Sequence, residues 1–174
     1  MIVLRILFYI IVFCLTLIYF LPKNEIVSYI NTTILPKYEL SAKIKLENDL
    51  LDYQAINSQI VFQNNPTANI DTIQISPYLF INTINLNNIK LKGMAGSVFP
   101  NKIEKADIKY SVLTPTKVMI DVVGDFGKAK GYFDISKSLV HFEVTASSLL
   151  IKKYSFILKM MKKSKKIYIY EYKL

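Results

Sequence analysis

The sequence predicts a mainly β domain that follows a membrane-spanning helix. Three observations support this fold class. Residues 6–21 form an uncharged apolar run. Between residues 38 and 145, apolar and polar side chains alternate in successive runs, which is the pattern of half-buried strands. Gly, Pro, Asn and Asp separate these runs and mark turns.

The composition excludes several classes of protein. A length of 174 residues allows one ordinary domain, and a hydrophobic content of 52% is too high for intrinsic disorder. The single Cys and single His leave almost nothing for a disulfide framework, a cysteine-built zinc site or a nucleophilic triad. We therefore predict a protein without catalytic activity, metal or other cofactor.

The first 22 residues predict a transmembrane anchor. As a helix of ~1.5 Å rise per residue, this stretch is about 30 Å long and matches the hydrocarbon thickness of a bilayer. It ends at Pro22 without the small-residue cleavage site of a signal peptide. Arg5, the only charge before Lys23, favours a cytoplasmic N-terminus. We expect a single-pass protein of the inner membrane with its C-terminal domain in the periplasm.

Residues 23–36 predict a short juxtamembrane helix or linker. Ile26, Val27, Ile30 and Ile34 recur at helical spacing after Asn24, which is a suitable N-cap. The β-rich extracytoplasmic domain then covers residues 37–174. Its alternating runs predict strands of one antiparallel sheet at residues 38–46, 55–62, 69–75, 80–91, 105–113, 118–123, 130–133, 139–145 and 167–172.

A local repeat is compatible with two of these strands being neighbours, and the alternative is two similar strands that share only a β-branched composition. The sequence Asn-Ile-Asp-Thr-Ile-Gln-Ile at residues 69–75 is echoed by Phe-Ile-Asn-Thr-Ile-Asn-Leu at residues 80–86. The offset of 11 residues suits strand, turn and strand of a meandering sheet, whereas two copies are too few for a solenoid.

Two features of the β-rich domain, the string at residues 124–127 and the single histidine, could indicate a catalytic or ligand-binding role. The string Gly124-Asp125-Phe126-Gly127 occurs in protein kinases, but the glycine-rich loop and other companions of that site are absent from this sequence. We predict a structural turn, in which Gly124 and Gly127 adopt backbone angles that a Cβ disfavours. His141 lies on the polar face of its strand, which indicates a solvated imidazole rather than a ligand.

The C-terminal part of the chain predicts an amphipathic helix from Ser147 to Lys166, followed by a last strand. The final 29 residues hold eight Lys and only one acid, Glu171. Lys152, Lys153, Lys159, Lys162 and Lys163 are candidate contacts with anionic lipid or a protein partner. A merely solvated face is the alternative, and nucleic acid is disfavoured. Tyr168 and Tyr170 are candidates for sheet pairing or for an edge that a partner joins.

Several stretches carry a family resemblance: residues 19–25, 77–84, 110–115, 124–127 and 168–173. They resemble the type II secretion system protein N family, and residues 131–135 are similar to its strand starts. This resemblance implies an inner-membrane anchor, a periplasmic β-rich domain and no catalytic residues. It also implies a role in envelope machinery that moves proteins, or DNA in related systems. The chain is shorter than the typical member.

We therefore expect a non-catalytic, membrane-anchored scaffold or assembly component of a type II secretion-like or DNA-uptake-like apparatus, with other envelope proteins as partners. A second hypothesis is a component of a lipid-transport bridge, since the lipopolysaccharide-transport protein C family has a similar architecture of one span and an open β-jelly-roll. A continuous apolar groove, open at both sheet ends, would favour that hypothesis. An envelope enzyme is a third, which the lack of clustered His, Cys or acidic residues opposes.

Overall fold

The computed structural model describes residues 30–48, 53–78 and 80–174, together with positions 5, 6, 8–10, 12, 13, 16, 25, 28 and 29. Among these described residues, no helix is both long enough and apolar enough to cross a membrane. Most of the predicted anchor lies outside them. The membrane-spanning helix therefore stays a prediction.

Ten antiparallel strands form one sheet, and the mainly β fold class is confirmed. Nine of them correspond to the alternating runs of the sequence, and the short β9 was not predicted. The strands are β1 Leu40–Asn48, β2 Tyr53–Phe62, β3 Asn65–Pro77, β4 Ile81–Leu91, β5 Lys102–Ser111, β6 Lys117–Gly124, β7 Gly127–Asp134, β8 Leu139–Ala146, β9 Lys162–Ser164 and β10 Ile167–Lys173.

The sheet is a meander, because β1 to β8 lie side by side in chain order. β10 then pairs with β8, and β9 pairs with the far side of β10. The two halves of the sequence repeat fall on β3 and β4, which are neighbours, as the offset allows. The upper end of the sheet is the end that carries the β2–β3 and β6–β7 turns. The lower end carries the β5–β6 and β7–β8 turns.

Within residues 80–174, three short α-helices accompany the sheet. α1 (Gly93–Val98) connects β4 to β5 at the upper end, where only a turn was predicted. α2 (Ser148–Lys153) and α3 (Ser155–Lys159) follow β8. The Ser147 hydroxyl caps α2, since it accepts a hydrogen bond from the Leu150 N–H at 3.2 Å.

The helical segment before the sheet extends further than predicted. Glu25, Ser28 and Tyr29 are helical, and a π-helical turn (Ile30–Ile34) and a 3₁₀ turn (Leu35–Tyr38) continue the segment. A proline often ends a helix, but Pro36 lies in the first 3₁₀ turn, where a missing N–H costs little. The segment ends in left-handed backbone one residue before β1 begins.

The prediction of a single amphipathic helix over residues 147–166 is wrong. Tyr154, with φ −122° and ψ 33°, is not helical and separates α2 from α3. Helix ends at Lys159, and residues 162–164 pair with β10 as an edge strand. Helical spacing predicted one apolar face of five residues. Leu150, Tyr154 and Leu158 of that face are less than a tenth exposed, and Ile157 and Met161 are half-buried beside them.

Candidate functional site

One face of the sheet, which we call the inner face, is apolar across almost its whole width. Directly paired residues of antiparallel strands lie on the same face. The register therefore defines a first row that crosses nine strands in the order Ala55, Ile73, Leu86, Ala106, Val122, Ala129, Val144, Tyr168 and Lys163. Only the last member, on the edge strand β9, is charged.

A second row runs parallel to the first, two residues nearer the lower end. Its members are Tyr53, Ile75, Ile84, Ile108, Ile120, Gly131, Phe142 and Tyr170. No charged residue interrupts it. Burial raises the pKa of the Tyr53 hydroxyl, as an apolar surrounding does for any group that would become an anion.

Above the first row, a line of irregular residues crosses strands β2 to β5, and we call it the crease. Asn57 and Asn88 have positive φ values of 50° and 51°. The register shifts by one residue between β1 and β2, and again between β5 and β6. The four strands between these shifts thus each contain one additional residue, as in a β-bulge.

The crease keeps the inner face apolar. In a regular strand, every second residue points to the same face. One additional residue reverses this alternation, so that the inner-face residues just before and just after the crease differ by three in residue number instead of two. Ile70 and Ile89, beyond the crease, therefore pack in one cluster with Ile73, Leu86 and Ala106. Ile70 is only 3% exposed, although the side chains of this cluster all come from strands. Apolar side chains of the sheet thus bury one another here.

α2 and α3 cover another part of the inner face. Leu150, Tyr154 and Leu158 pack against Ala129 and Val144 of β7 and β8. Val122, Phe142 and Tyr168 complete this cluster from the neighbouring strands. The covered part is therefore the upper half of β7, β8 and β10.

The lower part of the inner face has no helix packed on it among the described residues. Ile84, Ile108 and Ile120 of the second row are half-buried rather than buried. The next row, toward the lower end, includes the polar Asn82 on β4. It continues with Tyr110, Val118, Phe133 and Val140, which are also half-buried, and Tyr172, which is 54% exposed. An apolar surface of this length is unusual for a protein that meets only water.

A cavity of about 620 Å³ lies at the upper end, between the β2–β3 turn and α1. Phe62, Pro66, Met94, Val98 and Phe99 supply most of its apolar lining. Phe62 ends β2 two residues after Ile60, which packs in the cluster beyond the crease. The cavity therefore adjoins the apolar interior, and its volume is in the range of pockets that hold small molecules or a segment of an alkyl chain.

The opposite face of the sheet is polar. Lys105 pairs with Asp107 at 2.8 Å, and Lys130 lies 3.5 Å from Asp121. His141 is held rather than freely solvated, contrary to our expectation. Its Nδ1 lies 2.9 Å from Glu171 Oε1, and its ring stacks on Tyr132 at 5.0 Å between centroids. No group of three metal-ligating side chains occurs among the described residues.

The predicted lysines fall on two different elements. Lys152, Lys153 and Lys159 are exposed on α2 and α3, whereas Lys162 and Lys163 are exposed on β9. The register assigns the last two to opposite faces of the sheet, because Lys163 pairs with Tyr168 and Lys162 with Ile169. The structure thus separates the five into a helical group of three and an edge pair.

The two predicted glycines lie at the β6–β7 turn as expected, but for different reasons. Gly127 has a φ of 111°, whereas Gly124 has no positive φ. A Cβ on Gly124 would instead lie 2.6 Å from the carbonyl oxygen of Lys102. The predicted backbone angle is therefore correct for Gly127 and wrong for Gly124, where a neighbouring strand approaches closely.

The terminal tyrosines lie within the sheet. Tyr168 pairs with Val144 on one side and with Lys163 on the other, so it is not at an edge. Tyr170 pairs with Phe142 and lies beyond the end of β9. The predicted role in sheet pairing is confirmed for both.

Comparison of the chain with protein-family models, with curated proteins and with solved structures gave no match. The two family resemblances therefore stay predictions. The inner face with its adjoining cavity is the feature that sequence reasoning missed. The alternating runs contained its signal, since each run gives the apolar side of a strand, but the crease and the register were needed to join these sides into one surface.

Proposed function

We propose that the inner face binds the acyl chains of a lipid, and that the protein acts as a component of a lipid-transport bridge. The observation that carries this proposal is the pair of apolar rows that cross the sheet from β2 to β10. This surface resembles the groove expected of the second sequence hypothesis, although α2 and α3 cover its upper part beyond β6.

The chemistry of the inner face suits an alkyl chain better than a polar ligand. Ile84, Ile108 and Ile120 lie side by side in neighbouring strands and offer only hydrocarbon. Burial of each methylene of a chain on such a surface contributes about 0.8 kcal/mol. An alkyl chain laid across several strands would therefore gain free energy without needing a hydrogen-bond partner.

The arrangement also indicates the direction in which a lipid would move along the sheet. The cavity beside α1 opens at the upper end, near the helical segment that precedes β1. Gln63 of the β2–β3 turn donates a hydrogen bond to Glu39, directly after that segment. A lipid leaving the membrane in which residues 1–22 are predicted to lie would reach this end of the sheet first. The second row then leads toward the lower end.

A photocrosslinking experiment tests this function with a matched pair of positions on β6. Ile120 lies on the inner face, and its neighbour Met119, 45% exposed, lies on the opposite face. A benzophenone amino acid at either position is irradiated in cells that produce the full chain. We expect lipid adducts from position 120 and few from position 119, with the same thermal unfolding midpoint for both variants.

Two results would contradict the proposal. Equal lipid labelling at positions 119 and 120 would indicate unspecific contact with membrane. A protein adduct of defined mass at position 120 would show that a partner chain covers the inner face, and would favour the assembly role in a secretion apparatus.

A further inference from the structure

We propose that the outward side of α2 and α3 is a membrane-docking surface that binds an anionic lipid bilayer. We call it the docking surface, and it consists of four exposed apolar residues and three exposed lysines: Leu149, Ile151, Phe156, Met160, Lys152, Lys153 and Lys159. The docking surface would determine how the domain lies on the membrane, and it does not require a lipid bound to the inner face.

The apolar residues of the docking surface are not explained by the fold. Leu158 points toward the sheet, and Phe156 and Met160 lie on the other side of the same turn, four residues apart and adjacent to each other. Phe156 is 48% exposed and Met160 is 73% exposed. Two large apolar side chains that meet water beside each other are costly unless another apolar phase receives them.

The charges around these residues indicate that the partner is anionic. No Asp or Glu occurs between residues 146 and 170. Among the described residues, none of the three lysines takes part in an ion pair; Lys153 instead lies 5.6 Å from the ring of Tyr154. Exposed apolar side chains together with lysines that have no acidic partner are the composition of helices that lie in a membrane interface. The lysines would bind lipid phosphates while Phe156 and Met160 enter the acyl region.

The position of the docking surface agrees with this partner. α2 begins at the upper end, where Ser147 donates a hydrogen bond to the backbone oxygen of Asp125 in the β6–β7 turn. The helical segment before β1 approaches the same end. A domain held by residues 1–22 thus presents α2 to the bilayer in which its anchor is predicted to lie.

The absence of tryptophan from the chain makes a direct test possible. Phe156→Trp places a single indole on the docking surface, and Phe80→Trp places one at the lower end, where Phe80 is 63% exposed. The full-length variants are reconstituted in vesicles of brominated phosphatidylcholine with and without phosphatidylglycerol. We expect bromine to quench the indole at position 156 strongly in anionic vesicles and weakly in neutral ones, and to leave the indole at position 80 unquenched.

Charge variants in the Phe156→Trp background identify the source of attraction. Lys152→Gln, Lys153→Gln and Lys159→Gln together should abolish most of the quenching, since each lysine near an anionic surface contributes about fivefold to the docking equilibrium. Lys90→Gln, Lys109→Gln and Lys137→Gln remove the same charge from exposed sites elsewhere and should leave the quenching unchanged. High salt should mimic the first triple variant.

Three outcomes would overturn the proposal. The indole at position 156 could remain unquenched in anionic vesicles, the indole at position 80 could be quenched as strongly as the one at position 156, or both triple variants could reduce quenching equally. Tight binding of an oligonucleotide without any quenching would assign the lysines to nucleic acid instead. None of these outcomes depends on lipid adducts at position 120, so failure of the docking surface and failure of the proposed function are distinguishable.

Discussion

Asp134 shows how one side chain can define a turn. It ends β7 and is only 4% exposed. Its Oδ1 accepts hydrogen bonds from the Ser136 hydroxyl at 2.6 Å, the Ser136 N–H at 3.1 Å and the Lys137 N–H at 3.2 Å. The Ser136 hydroxyl has the largest effect on the pKa of Asp134 and, against the opposing effect of burial, holds that pKa below its usual value.

A pH dependence of stability follows from this network. Because the pKa of Asp134 is lower in the folded protein than in the unfolded chain, the ionised carboxylate stabilises the fold above about pH 4. The stabilisation is lost as the pH falls through the lowered value. We expect Asp134→Asn to flatten the acid limb of the free energy of unfolding against pH, measured by urea denaturation of the full chain. Asp121→Asn, an exposed carboxylate, is the control, and equal acid limbs in both variants would contradict this role.

At the residue scale, the sequence predicted the backbone angle of Gly127 correctly, but not that of Gly124 and not the contact of His141 with Glu171. A glycine beside an Asp-Phe pair indicates a turn, and positive φ is a local property that such a turn requires. The close approach of Lys102 to Gly124, and of Glu171 to His141, joins residues that are distant in the chain. Local patterns do not contain such contacts.

Among the elements, the β6–β7 hairpin connects the start of β5 to the start of α2. The Asp125 N–H donates to the carbonyl of Lys102 at the start of β5, and the Ser147 N–H donates to the carbonyl of Phe126. The turn therefore holds the start of β5 and the start of α2 together. Damage to it should affect both the sheet and the helices that cover the inner face.

Replacement of either hairpin glycine should destabilise the protein. In Gly127→Ala, the new Cβ would lie 2.1 Å from the Thr145 carbonyl oxygen, on a backbone that L-residues rarely adopt. In Gly124→Ala, it would meet the Lys102 carbonyl oxygen. We expect each variant to lower the free energy of unfolding by about 1 kcal/mol or more. Asp125→Ala changes the same turn without adding a Cβ and should change stability by less than about 0.5 kcal/mol. Denaturation midpoints that are identical for all three variants would show that a Cβ at Gly124 or Gly127 does not destabilise the hairpin.

The C-terminal segment shows where element prediction fails. Periodicity identified the buried face of Leu150, Tyr154 and Leu158, because packing against a sheet selects apolar residues at helical spacing. It did not identify the break at Tyr154. Nor did it identify β9, whose residues Lys162 to Ser164 have no strand-like composition. Pairing with β10 is a tertiary effect, and a lysine-rich edge also resists association with further strands.

At the scale of the whole molecule, both proposals depend on the membrane topology that the sequence predicts. Arg5 and the apolar run after it predict an N-terminus in the cytoplasm. Alkaline phosphatase, which is active only outside the cytoplasm, should therefore be active when fused after Leu174. A fluorescent protein that matures only in the cytoplasm should stay dark at the same site. The opposite pair of results would reverse the predicted localisation.

The pairing of β3 with β4 was compatible with the sequence repeat, whereas the full strand order and the extent of the inner face could not be predicted. The 11-residue offset suits neighbouring strands, because short turns leave consecutive strands little choice but to pair. The inner face depends on the register of every pair and on bulges at Asn57 and Asn88. A shift of one residue would have turned its apolar side chains to the opposite face.

The strand order of the sheet also has a consequence for how the chain folds. From β1 to β8, each strand pairs with the strand made just before it, so every pairing step closes only a short loop. Such a chain can fold from its N-terminal strands onward, without waiting for distant segments. β9 is the exception, since it must wait for β10 to pair with β8 before it can complete the sheet.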